Sequence, residues 1–92
     1  MNITNNKSLN HYRISLFGLL DYENIKEFIE SLNINIINKT GLVIIYGNNN
    51  LSLKQIDEIM SYFKTNKDIY YTCPLDNNLA ENEVVLSLLI ER

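Results

Sequence analysis

The sequence predicts an α/β fold, a two-layer sandwich in which a mixed four-stranded sheet carries two helices on one face, in the order β-α-β-α-β-β. Three observations predict it. Two segments with apolar residues at helical spacing, around Ile25 and Ile56, alternate with strand-like runs; Leu42 to Tyr46 is apolar without interruption; and the chain closes on two alternating segments with no helix between them. Crossovers of roughly 20 residues that contain helices require parallel or near-parallel strands, whereas the shorter loop before Val84 permits an antiparallel last pair. In so small a unit both helices must cover the same side, and the other side of the sheet is left open.

The first ten residues are polar and rich in Asn, and are expected to form a flexible N-terminal arm (1–10) ahead of a single domain (11–92). Tyr12, Ile14 and Leu16 alternate with Arg13, Ser15 and Phe17, the period of a strand with one apolar face. Asp21 is placed to cap the first helix, with Leu20 and Ile25 at the spacing of a hydrophobic staple and Ile25, Phe28, Ile29 and Leu32 as the buried stripe. Residues 33–40 show no clean period. Leu42 to Tyr46 is a strand covered on most of both sides, closed by Gly47 and an Asn48-Asn49-Asn50 turn.

Ser52 with Gln55 has the form of a capping box, Leu51 and Ile56 the spacing of a staple, and Ile56, Ile59, Met60 and Phe63 form the second stripe. Lys54 and Glu58 are expected as a weak surface pair, and Thr65 to Lys67 as the end of that helix. Ile69, Tyr71 and Cys73 alternate with Tyr70 and Thr72 in a third strand that Pro74 stops, because proline cannot donate the next ladder hydrogen bond. Val84 to Ile90 alternates as a fourth strand.

Composition narrows the function classes. A chain of 92 residues holds one core, burying roughly 60 to 65% of the surface its unfolded form exposes, and leaves no room for a second catalytic domain. Eight basic residues against 11 acidic ones give a net charge of -3, which disfavours nucleic acid as a partner. Cys73 is the sole cysteine, so there is no internal disulfide and no four-cysteine metal site, in keeping with a reducing, cytoplasmic setting. No apolar run is long enough for a membrane span, and the N-terminus lacks the apolar stretch of a signal peptide.

Candidate chemistry is sparse, and no catalytic, cofactor-binding or metal-binding residue is assigned. His11, the only histidine, is expected in solvent beside the arm, and Cys73 is expected to be buried and inert, as a small hydrophobe on the face of Ile69 and Tyr71. Asp57 and Glu58 point about 100° apart on a helix and do not form a catalytic carboxylate pair. Asp76, Glu81 and Glu83 cluster near one loop but lack the ligand series of a calcium loop. The tyrosines carry more information: Tyr70 and Tyr71 are consecutive and face opposite sides of a strand. An open-face surface of Phe17, Tyr70, Val85 and Leu89 is therefore expected to bind a protein partner or a second copy.

From Gly41 onward, Gly41-Leu42-Val43-Ile44-Ile45-Tyr46-Gly47 followed by Leu51-Ser52-Leu53 resembles the strand, glycine turn and helix of the C-terminal domain of FtsZ, the bacterial tubulin-like cell-division GTPase, with Asn48 where a second glycine is usual. Asp68-Ile69-Tyr70-Tyr71, then Leu75-Asp76, Leu79 and Val84 to Leu88, resembles its paired final strands, and Ile14 to Gly18 its opening strand. The likeness spreads over about 80 residues, and it implies an isolated companion of the tubulin-like fold. The family's glycine-rich phosphate loop has no counterpart among the three separate glycines, and its acidic catalytic loop and flexible tail are likewise expected to be missing. The expected function is a noncatalytic protein-interaction module, a partner or regulator of a tubulin-like filament or cell-division assembly. The alternative is a small-molecule-binding regulatory domain that uses the turn from Gly47 to Asn50.

Overall fold

The computed structural model describes residues 9–18, 21–64 and 68–92. The elements follow the expected order: β1 (Leu9–Phe17), α1 (Tyr22–Ser31), β2 (Gly41–Tyr46), α2 (Leu53–Phe63), β3 (Ile69–Thr72) and β4 (Glu83–Glu91). The first eight residues of the expected arm, Leu20 of the expected staple and Thr65 to Lys67 lie outside the described residues. β1 begins at Leu9 because Leu9 and Asn10 pair with Glu91 and Ile90, so the strand takes in the last two positions assigned to the arm.

The four strands form one mixed sheet in the order β1-β4-β2-β3. β4 runs antiparallel to both β1 and β2, and β2 runs parallel to β3, so β1, β2 and β3 share one direction, as helix-bearing crossovers demand. The last two strands are not partners, against the expectation of an antiparallel final pair. β4 instead returns across the sheet and inserts between β1 and β2. Val84 to Leu88 are buried in succession, and an interior place shields both faces of such a strand, whereas β3 keeps only Ile69 buried and lies at the edge.

One core lies between the sheet and the helices. Ile14 and Leu16 of β1, Val43 and Ile45 of β2, Ile69 of β3 and Val84, Leu86, Leu88 and Ile90 of β4 meet Ile25 and Ile29 of α1 and Ile59, Met60 and Phe63 of α2. Both helices therefore cover the same face. Phe28 and Leu32, expected in the α1 stripe, are exposed at its shoulder, and Ile34 and Ile36 from the aperiodic stretch fill the layer instead. Asn33, at a φ of 56°, ends α1 in left-handed geometry and donates its N–H to the Glu30 carbonyl, which turns the chain back toward the core. No helix among the described residues is long and apolar enough to cross a membrane.

The caps are built as the sequence predicts. Asp21 Oδ1 accepts from Asn24 N at 2.9 Å, and Ser52 Oγ accepts from Gln55 N at 3.2 Å while Gln55 Oε1 accepts from Ser52 N at 2.9 Å. Ser52→Ala should lower stability by about 1 kcal/mol through loss of one arm of that box. A denaturation midpoint indistinguishable from that of the parent, at equal slope, would refute the cap's contribution. Glu58 departs from expectation: its Oε2 accepts from Tyr22 N at 2.8 Å, placing a carboxylate at the positive end of α1 and tying the two helices together. The ion pair on α2 is Lys64 with Asp57 at 3.2 Å, exposed and worth little.

Candidate interaction surface

Because residues alternate across a strand, the positions between the core residues form the second face of the sheet, and strand register arranges them in rows. His11, Leu89, Leu42 and Tyr70 make one row; Arg13, Ser87, Ile44 and Thr72 make the next. Ser15, Val85 and Tyr46 form a third, and Phe17 lies beyond it opposite Glu83. Neither α1 nor α2 reaches this face. Its apolar residues are Leu42, Ile44 and Tyr46 on β2 and Val85 and Leu89 on β4, and β1 brings Arg13 to it.

The expected site residues divide on this map. Phe17 is 62% exposed and Tyr70 is 50% exposed, but they sit at opposite corners, on the two edge strands. Leu89 is half-buried beside Leu42, in the row of Tyr70. Val85 is only 3% exposed and outside the helix-side core, with Ser15 and Tyr46 as its cross-strand neighbours. The four residues therefore do not make one patch. The continuous surface runs from Leu89 over Leu42 and Ile44 to Tyr70, and the two β2 residues were missing from the expectation because an unbroken apolar run hides which of its members face outward.

The middle of the face is fastened by polar groups. The Arg13 guanidinium lies 5.5 Å from the centre of the Tyr46 ring, and His11 Nε2 is 2.6 Å from Ser87 Oγ. Ser87, a buried polar residue, is thereby satisfied, and His11 is exposed as expected but belongs to β1 and a hydrogen bond instead of the margin of an arm.

Cys73 is exposed, where the alternation of β3 predicted burial. β3 ends at Thr72, and as a short edge strand it has no layer over its last positions. Partial burial of the sulfur still pushes the thiol above its ordinary pKa, so less of it is thiolate at neutral pH than in a free cysteine. Native protein should therefore react fully with an aromatic disulfide reagent without denaturant, at a rate that keeps rising with pH beyond the range of an ordinary thiol. Reaction only after unfolding would contradict the end of β3. The Tyr62 hydroxyl is also raised, chiefly by burial and then by the nearby charge of Glu30.

A cleft of about 240 Å³ adjoins the asparagine turn, lined by Gly18, Asn48, Asn50, Leu51, Gln55 and residues 81–84. Glycine stands at position 47, just before the turn, where the close approach of the Leu51 side chain leaves no room for a Cβ. Asn48 and Asn50 are engaged in the turn: Asn48 Nδ2 donates to the Ala80 carbonyl at 2.8 Å, Asn48 Oδ1 accepts from Asn50 N at 2.9 Å, and Asn50 Nδ2 reaches the Glu81 carbonyl at 3.5 Å. The turn clamps the loop before β4. In that loop Asp76 Oδ1 accepts from Asn78 N and Glu83 Oε1 from Ala80 N, so these carboxylates cap their own backbone. No metal-binding group of three or more ligands occurs among the described residues.

No protein-family model matches the sequence, and neither does any curated protein. Solved structures do match. A tryptophan-to-tyrosine mutant of FtsZ from M. jannaschii superposes with a TM-score of 0.68 at 21% identity, covering 89% of this chain and 27% of that one. An empty FtsZ dimer from M. jannaschii gives a TM-score of 0.72, again at 21% identity, covering 98% of this chain and 29% of that one. The chain spans less than a third of the length of these FtsZ chains. At this identity the likeness is one of fold, and it bears out the fold expected from the resemblance to the FtsZ C-terminal domain.

Proposed function

We propose that this chain is a noncatalytic protein-interaction module, a partner or regulator of a tubulin-like filament or cell-division assembly in the cytoplasm, and that the sheet face opposite the helices is its docking surface. The observation that carries this reading is a face with half-buried Leu42, Ile44 and Leu89 and half-exposed Tyr70, over which the chain's two helices lay no layer. An apolar face of this kind gains from being covered, and aromatic residues beside aliphatic ones are the usual energetic centre of an interface. The FtsZ-like fold supports a tubulin-like assembly as the setting, and one of the matched FtsZ structures is itself a dimer.

The cleft at the asparagine turn supports the metabolite-binding alternative less well, because the Asn48 and Asn50 amides that border it already hold the neighbouring loop. Cosedimentation of the purified chain with an FtsZ-type filament from the same cell, with sizing of the soluble fraction, tests the proposal. Capture on filaments or a defined complex is expected. A chain that stays monomeric and soluble beside polymerised filaments would sink it.

A further inference from the structure

The open face carries a cation near its middle that its own carboxylates do not neutralise. Arg13 makes no ion pair among the described residues, and its guanidinium lies against the Tyr46 ring. His11 stands about 7 Å away on the same side of β1, its Nε2 against Ser87 Oγ. Within the four strands the carboxylates on this face are Glu83 and Glu91 of β4. Each is two rows from Arg13, roughly 13 Å along the strands. Each already accepts a backbone N–H, Glu83 from Ala80 at 3.2 Å and Glu91 from Thr40 at 2.9 Å.

We infer that the occupant of this face is an acidic, amphipathic peptide segment of a partner protein, which sets a carboxylate on Arg13 and apolar side chains on Leu42, Ile44 and Tyr70. This deepens the proposed docking role and rests on it. The Tyr46 ring, 5.5 Å from the guanidinium carbon, steadies the cation without consuming an N–H donor, and a guanidinium matches a carboxylate with two parallel N–H donors. Half-buried aliphatic neighbours on β2 and β4 exclude water from the pair once a segment lies over it, where a charge-assisted bond counts for more. A second copy of this chain is a poorer occupant, since a two-fold contact through this face would present the same engaged carboxylates. Nucleic acid is poorer still, because one arginine on a chain of net charge -3 is not a phosphate-binding stripe.

Three synthetic amphipathic peptides with identical apolar positions and Glu, Gln or Lys between them, titrated into isotope-labelled protein and followed by amide shifts, provide the test. The Glu peptide should move amides around Arg13, Leu42 and Tyr70 and bind about tenfold more tightly than the Gln peptide, with the Lys peptide weakest. Arg13→Gln should erase that ranking while leaving apolar binding to the face. Equal affinities at this face, or a ranking that survives Arg13→Gln, would overturn the acidic partner and leave the docking surface standing. Shifts confined to α1 and α2, or none with any peptide, would overturn both. Concentration-dependent self-association through the face would make a second copy the occupant and overturn the acidic partner alone.

Discussion

Leu86→Ala is expected to cost about 3 to 5 kcal/mol, whereas Ile44→Ala costs only about 1 to 2. Leu86 is fully buried on β4, opposite Ile14 on one side and Ile45 on the other, so truncation opens a cavity walled by two neighbouring strands and the helix layer. Ile44 faces the open side and is half-buried, so its loss removes less contact and leaves no enclosed void. A domain of 92 residues has roughly 5 to 14 kcal/mol of stability in all, which makes the first change a large share of the total. Denaturant midpoints at constant slope decide the matter. Should Ile44→Ala prove the costlier of the two, β4 would belong at an edge and the sheet order would be wrong.

That comparison also shows how far the sequence could be read. Helix spacing, both caps and the period of β1 are local signals, and each is present in the structure at the residues that carry it. The order of strands in the sheet is not local. Val84 to Ile90 alternates in type only weakly, since both its faces are apolar but for Ser87, and that is the feature that sends it to the interior of the sheet. The same ambiguity hid Leu42 and Ile44, whose outward direction depends on register with β4 and β3. Phe28 and Leu32 fit a helical stripe equally well as Ile25 and Ile29, and it is the return of Ile34 and Ile36 over the core that displaces them to the surface. The burial of Val85 was hidden for a related reason: alternation tells which side of a strand a residue occupies, whereas its burial depends on what stands beside it, and Val85 has Ser15 and Tyr46 as cross-strand neighbours.

Val85 also dictates how the docking surface must be tested. Charge at Val85, 3% exposed, would be placed in the sheet's interior and is expected to unfold the domain, so lost binding in that variant would carry no information. Leu89→Lys combined with Tyr70→Lys is the informative change. Both positions lie in the row that contains Leu42, one half-buried and one half-exposed, and a lysine there can lay its stem on the face while its ammonium reaches water. The free protein should keep its helical signal and melt within a few degrees of the parent. Once a partner covers the row, the two ammonium groups must lose that water, and filament capture is expected to weaken by about 100-fold or more. Leu53→Lys, on the opposite layer and 85% exposed, serves as the matched control and should change neither property. Parental capture by the double variant would remove the open face from consideration and turn attention to the shoulder of α1, where Phe28 and Leu32 stand exposed one helical turn apart.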